Sequence, residues 1–535
     1  LRYEWERRSL AFCNAIRYDC AVKIVTAEMM RTLDRRAMDE GGIPGTVLME
    51  NAGRAVFEFI VERYGPVRGR DFHVACGVGN NGGDGFVIAR YLHLAGAWVT
   101  VSIAGDTDKI QGDARTNFNV LRQVGVDPWA SAPGGAYVKI DALLGTGAKG
   151  PPREEIAAAI RRLNADRSPT ISVDIPSGVE ADTGSVPREA VKAAATVTFA
   201  YPKLGLFLSP GADLVGELVV RDIGFDWERL DAETPYRWIR RGALLPFLPP
   251  RPREGHKGLF GHVLVVGGSR GMSGAPTLTA KAALRTGAGL VTVAAPAGAQ
   301  SFIAGKIDEA MTIALEEQGG ALCEASFEAI KAQAGKCDVI CLGPGASQEP
   351  QAQAVIRKIL REIDRPIVLD ADGLNALASD PDAVAVRKAP TVLTPHPGEC
   401  ARLLGISPAD VQVDRLTAVR SVAEKYGAIV VLKGARTLVC DGRQGSPAEY
   451  PIGINATGNP GMATGGSGDT LTGIIGALMG QGLDAFDAAQ LGVYLHGCAG
   501  DISAAEHGEI GLVAGDIISA LPQAIRNFQE LEEVV

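Results

Sequence analysis

The sequence predicts an α/β protein built from two doubly wound domains. Three observations carry that prediction. Short β-branched runs alternate with alanine-rich helical stretches along nearly the whole chain, 535 residues exceed what one ordinary core organises, and the loops after the strands are glycine-rich and polar.

In the first half, "DFHVACG", "WVTVSIAG", "YVKIDALLG" and "PTISVDIPSG" read as buried parallel strands. "TVLMENAGRAVFEFIVERYG" and "REEIAAAIRRLN" read as amphipathic helices between or before them. The second half repeats the habit with "HVLVVGG", "LVTVAAP", "DVICLGPG", "PIVLDADG", "TVLTPHPGE" and "AIVVLKGA". Periodicity lapses near "DIGFDWERLDAETPYRW", so the seam is expected there, with the proline-rich "LLPFLPPRPREGHKG" leading into the second domain. The expected domains are 22–235 and 236–535. They follow an extension, residues 1–21, that starts without methionine, lacks the apolar centre of a signal peptide and receives no function.

A net charge of −9 argues against nucleic acid as a partner, because phosphate backbones require a basic face. No run of 18 apolar residues occurs, so no membrane span is expected. Nine cysteines are scattered without a CxxC pair, which suits reduced thiols in the cytoplasm. A cytoplasmic homo-oligomer acting on small molecules is the expectation.

Ligands of parallel sheets sit beyond the carboxyl ends of the strands. Three strands of the first half run into unusual loops there: "CGVGNNGGDG" (76–85), "DALLGTGAKGPP" (141–152) and "VDIPSG" (173–178). Gly77, Gly79 and Gly82 satisfy GxGxxG, the dinucleotide fingerprint, and Asp106 downstream is an ambiguous match for its ribose-binding acid. Against that fingerprint stand two asparagines and Asp84, whose carboxylate is expected to repel phosphate unless a cation intervenes. The polar reading is preferred, with amides, carbonyls and Asp141 forming a hard-oxygen site for an alkali cation beside a phosphorylated ligand. Lys149 in "GTGAKGP" serves phosphate. Asp174, at a strand tip before a Pro-Ser-Gly turn, is placed as a general acid or base, the alternative being an Asx cap of its own turn.

In the second half, "NATGNPGMATGGSGDT" (455–470) precedes the apolar helical run "LTGIIGALMGQG". Gly466–Asp469 therefore fall at a helix N-terminus, where free amides favour a phosphoryl group without a lysine in the loop. Asp469 would accept the proton of an attacking hydroxyl, the alternative being a plain N-cap. "LKGART" (432–437) offers Lys433 and Arg436 to nucleotide phosphates, His396 lies in the rigid "TPHPGE", and "GGSRGMSGAP" (267–276) is free to lie along a second ligand.

Taken together these motifs resemble the bifunctional NAD(P)H-hydrate repair enzymes over essentially residues 22–535. "LMENAG", "GNNGGDG", "LLGTG" and "VDIPSG" resemble the epimerase domain, which is Rossmann-like. "HKGLFGHVLVVGGS", "LGPG", "DADGLN", "TPHPGE", "LKG" and "NATGNPGMATGGSGD" resemble the dehydratase domain, which is ribokinase-like. The resemblance implies hydrate-binding roles in the epimerase for Asn80, Asn81, Gly82, Gly83 and Asp84, for Gly145, Thr146, Gly147, Ala148, Lys149, Gly150 and Pro151, and for Asp174. It implies potassium ligation by Asn81, Asp141 and Ser177. In the dehydratase it implies hydrate contacts from Ala275, Gly345, His396 and Asp469. ADP contacts are implied for Lys433, Gly434, Ala435, Arg436, Thr437 and Gly468, with Mg²⁺ accompanying the nucleotide. The implied activity epimerises the R and S forms of NADH or NADPH hydrate and dehydrates the S form. That second step uses ADP, giving AMP and phosphate, through phosphorylation of the C6 hydroxyl. The alternative is a ribokinase-like small-molecule kinase with a non-catalytic dinucleotide-binding front half.

Overall fold

In the computed structural model, residues 22–128, 135–230, 233–443 and 445–530 are described; the extension 1–21 lies outside them. The chain divides into two compact units, one of residues Lys23–Thr234 and one that runs from Pro235 to the C-terminus.

The first unit is a six-stranded, wholly parallel sheet. Across it the strands run Trp98–Ile103, Asp71–Cys76, Val138–Ala142, Thr170–Val173, Ala195–Phe199 and Glu217–Arg221. The chain leaves Asp71–Cys76 toward one edge and returns on its other side at Val138–Ala142, so the strand order switches between these two strands. Crevices form at such points. The helices Gly45–Tyr64, Asn80–Leu94 and Gly112–Gln123 bury Val56, Phe59, Phe86, Ile88 and Phe118 against the sheet's Phe72, Val74 and Ile140. All four strands read from the sequence are present; the two outer ones, Ala195–Phe199 and Glu217–Arg221, were not anticipated.

One expectation fails here. The glycine run after Cys76 is not a loop: a helix starts at Asn80, directly behind Gly79. The glycines are needed because the helix begins against the turn that feeds it. A Cβ at Gly82 would lie 2.0 Å from the carbonyl oxygen of Gly77, a backbone atom unable to retreat. Gly82→Ala is therefore expected to destabilise this unit by about 1–3 kcal/mol, read as a lower urea midpoint.

The second unit contains a mixed sheet, counted as eleven strands with the short Val22–Lys23 at its margin. From Tyr236–Ile239 the order is Ile452–Asn455, Leu438–Asp441, Ile429–Leu432, Thr391–Leu393, Ile367–Leu369, Val339–Leu342, His262–Val266, Leu290–Pro296 and Met311–Leu315. Only Leu438–Asp441 runs antiparallel to its neighbours among these. The six strands read from the sequence are there. Tyr236–Ile239 was missed because it lies where the apolar period lapses; it pairs in parallel with Ile452–Asn455.

The order reverses between His262–Val266 and Val339–Leu342, and the helix Ser467–Gly480 packs at this place. Its Gly476 faces Cys341, where a Cβ would come within 2.3 Å of the thiol sulfur. Among the described residues no helix is long and apolar enough to cross a membrane.

Candidate active sites

The three polar rims of the first unit do converge. A cleft of about 750 Å³ is lined by Asn80, Asn81 and Asp84 from the first turn of their helix, by Gly145–Pro151, and by Asp174. Gly82 and Gly83 are not in its wall: Gly82 packs on Gly77, and Gly83 faces Met49 and Ala114. Asp34, from the helix Ala27–Asp39, and Lys203 complete the floor.

Asp174 sits at φ +66°, a left-handed conformation that aspartate tolerates better than most residues. Its side chain does not cap its own turn. One oxygen, Oδ1, accepts from Lys203 Nζ at 2.6 Å and Thr198 Oγ1 at 2.9 Å. Burial, with Asp174 and Asp34 nearby, pushes the Asp84 carboxyl well above the usual range. Such a carboxyl holds its proton more readily than a free aspartate, which weakens the repulsion of phosphate expected of Asp84. Burial also lifts Asp34, to about 6, with Lys203 opposing the rise.

Asp141 and Ser177 lie together beneath the cleft. Both are fully buried, and Asp141 accepts from Ser172 Oγ at 2.8 Å, Ser177 N at 2.9 Å and Ser177 Oγ. Burial raises its pKa and these neutral donors work against the rise. Asn81 joins them through Leu144, whose carbonyl accepts from Asn81 Nδ2 at 2.9 Å and whose N–H donates to Ser177 Oγ at 2.8 Å. A buried carboxylate supported only by neutral donors, with hydroxyl, carbonyl and amide oxygens around it, suits a hard monovalent cation such as K⁺.

In the second unit, Gly466 at φ +91° turns the chain into the helix Ser467–Gly480. A side chain there would be strained and would also strike Leu278. Asp469 stands in the first turn, two residues after the first helical position, so the N-cap alternative is excluded. The loop lacks a lysine only in sequence. Lys433, from the end of strand Ile429–Leu432, brings its ammonium to within 3.0 Å of where a Gly468 Cβ would be.

That ammonium is held by residues the sequence reading did not select. Lys433 Nζ donates to Asp370 Oδ1 at 2.8 Å and lies 3.8 Å from Glu399 Oε2, while Thr472 Oγ1 donates to Asp370 Oδ2 at 2.8 Å. Burial disfavours the Asp370 charge, yet Lys433 with the hydroxyls of Thr472 and Thr394 outweighs it and leaves that carboxyl below its usual range. Burial and the neighbouring Asp370 lift Asp469 to about 7 against the pull of Lys433. Glu399 also rises to about 7, chiefly through burial. One carboxyl is thus committed to holding the lysine, and another is poised to change protonation near neutrality.

His396 takes the N-cap of the helix Pro397–Leu404. Its Nδ1 accepts from the backbone N–H groups of Gly398 and Glu399, which fixes that nitrogen as the unprotonated one. Ala275 and Gly345 adjoin: a Cβ on Gly345 would lie 3.3 Å from that of Ala275. Gly434, Ala435, Arg436 and Thr437 form the turn after Lys433, with Thr437 Oγ1 donating to Gly434 O and Arg436 reaching Ala456 O at 3.3 Å.

Lys203, Asp34, Asp370, Glu399 and Thr472 were all missed. Lys203 carried a usable signal, because a lysine inside the apolar "FAYPKLGLFL" marks a buried ion pair. Asp370 and Glu399 were visible only as letters within "DADGLN" and "TPHPGE".

Each of the two units has a match among known protein families. Residues 263–523 match the family model described as NAD(P)H-hydrate dehydratase, and residues 45–205 match that described as YjeF-related protein N-terminus. The bifunctional NAD(P)H-hydrate repair enzyme Nnr of Moorella thermoacetica is 44% identical over 528 residues, covering 96% of this chain and 98% of that protein. Its counterpart from Escherichia coli K12 is 37% identical over 505 residues, 93% of each chain. A Bacillus subtilis ADP/ATP-dependent NAD(P)H-hydrate dehydratase, co-crystallized with ATP/Mg²⁺, is 30% identical over 54% of this chain and 98% of its own, with a TM-score of 0.46. With relatives aligned along nearly its whole length, this chain belongs to the family of bifunctional NAD(P)H-hydrate repair enzymes.

Proposed function

We propose that the chain repairs hydrated NADH and NADPH, with epimerisation in the unit Lys23–Thr234 and nucleotide-dependent dehydration in the unit from Pro235 onward. The observation that carries this reading is the group Asp469, Lys433 and Asp370 at the mouth of the helix Ser467–Gly480. There the free N–H groups favour a phosphoryl group in transfer, and Asp469 would accept the proton of the attacking hydroxyl.

In the proposed dehydration, Asp469 removes the proton from the C6 hydroxyl of the S hydrate. The freed oxygen bonds to the terminal phosphorus of ADP, and AMP leaves. The lone pair of the ring nitrogen then expels phosphate from C6, and loss of a C5 proton restores the C5–C6 double bond. Amides of 466–468 and the Lys433 ammonium stabilise the transferring group, while Ala275, Gly345 and His396 hold the hydrate. Gly434–Thr437 hold the nucleotide. A Mg²⁺ carried by the nucleotide phosphates would offset their charge.

In the first unit, Asn80, Asn81, Asp84 and Gly145–Pro151 embrace the hydrate, and Asp174 transfers the proton. Asn81, Asp141 and Ser177 would hold K⁺, which supplies a fixed positive charge under the cleft. Replacing K⁺ by choline at constant ionic strength is expected to lower epimerisation severalfold. Asp141→Asn, which removes the buried charge the cation answers, should abolish that dependence.

Full-length protein incubated with mixed hydrate epimers, Mg²⁺, K⁺ and ADP or ATP tests the whole reading. Reduced-nicotinamide absorbance should return and free phosphate should accumulate one for one. A stable phosphorylated product without regained absorbance would make this a small-molecule kinase instead. The same reading includes a cytoplasmic homo-oligomer. Seven described cysteines, all free thiols, support the compartment, and light scattering measures the assembly.

A further inference from the structure

The cleft of the first unit contains one buried cation to which no role has been given. The Lys203 side chain is 2% exposed. Its ammonium spends its three donors on Asp174 Oδ1 at 2.6 Å, Thr198 Oγ1 at 3.1 Å and Phe199 O at 3.2 Å. Thr198 donates to the same Asp174 oxygen at 2.9 Å, so both contacts fall on Oδ1 and, among the described residues, neither reaches Oδ2. Asp174 lines the cleft.

Lys203 is not a surface lysine that has folded inward. Its backbone is pinned on both sides by Val25, which donates to Pro202 O and accepts from Leu204 N, each at 3.0 Å. Stability alone does not explain such a residue, because a buried ion pair is often matched or exceeded by an apolar pair of equal volume. The titratable groups that face it are three carboxyls from three elements. Asp34 comes from the helix Ala27–Asp39, Asp84 from the helix Asn80–Leu94, and Asp174 from the end of strand Thr170–Val173.

We propose that Lys203 is the positioning residue of the epimerase centre: with Thr198 it clamps Asp174 through Oδ1, leaving Oδ2 as the single oxygen turned to the hydrate, and its charge balances the carboxyls around it. This rests on the assignment of Asp174 as the proton-transfer group. An unclamped carboxylate rotates about its last bond and offers either oxygen; a clamped one meets the C6 hydroxyl in one geometry, and well-oriented groups react faster. Lys203 also opposes the upward push on Asp34 and Asp84. Removing its charge therefore favours the protonated form of the carboxyls that face it, and the acid limb of the epimerisation profile is expected to move to higher pH.

The test uses the full chain, whose dehydration of the S epimer serves as an internal control in the same preparation. Lys203→Met should lower kcat for epimerisation about 100-fold, leave KM nearly unchanged and shift the acid limb upward. Lys203→Arg, which keeps the charge, should return the limb to its wild-type position. Thr198→Val, nearly isosteric, should lower kcat by a smaller factor without moving the limb, and it decides the matter should Lys203→Met not fold. Wild-type kcat and pH profile in both Lys203→Met and Thr198→Val, with Asp174→Asn inactive, overturns the positioning role alone. An active Asp174→Asn overturns the assignment beneath it.

Discussion

Asp469→Asn is expected to lower dehydration of the S hydrate about 10²–10⁴-fold, the range for loss of a general base, while epimerisation continues at its normal rate. Asparagine keeps the shape of the side chain but accepts no proton from the C6 hydroxyl. Phosphate release and absorbance recovery should both stop, and chromatography of the epimer mixture should still show interconversion. Asp469 is raised to about 7, so it is largely protonated below that value and becomes a competent base above it. Wild-type kcat should climb through this region to a plateau. Glu399 rises to about 7 in the same cluster, so the limb belongs to the pair. A limb that persists in Glu399→Gln assigns it to Asp469.

The stability sign separates lost chemistry from lost folding. A carboxyl raised in the folded protein binds its proton more tightly there than in the unfolded chain. Its contribution to stability is greatest at low pH and declines as pH rises from about 4 through about 7. At pH 8 the buried charge is a burden that asparagine removes. The variant should therefore melt no lower than wild type under those conditions. An inactive variant that is also much less stable at pH 8 would argue against this account.

Asp174→Asn carries the second large effect. Asparagine tolerates the positive φ at this position, so the turn is preserved while the proton-transfer oxygen is lost. Epimerisation should fall about 10²–10⁴-fold. With mixed epimers, Mg²⁺ and ADP, absorbance should recover at the wild-type initial rate and then halt once the S form is consumed. Adding wild-type protein should restart it. Full recovery at the wild-type rate would remove Asp174 from the mechanism and leave the front unit as a binding module.

The two α/β units, the ten strands named in advance and the loops that carry the sites were legible because each depends on local pattern. Apolar runs of strand length, the glycines behind Cys76 and those before Asp469 report backbone demands that act within a few residues. The same locality explains what was not legible. Read as a free carboxylate, Asp84 looked hostile to phosphate; its environment is set by Asp34 and Asp174, fifty and ninety residues away. The 455–470 loop looked lysine-free because Lys433 arrives from another strand.

By itself, then, the sequence determined ten of the strands, which loops crown them and what family the motifs resemble. Tertiary structure alone decided which charges meet: Lys203 on Asp174, Lys433 on Asp370, and Asp469 lifted to about 7 by burial and by Asp370. The reason is range. Backbone conformation is dictated by neighbours in the chain, whereas the charge state of a buried group depends on distance through space and on how much water the fold removes.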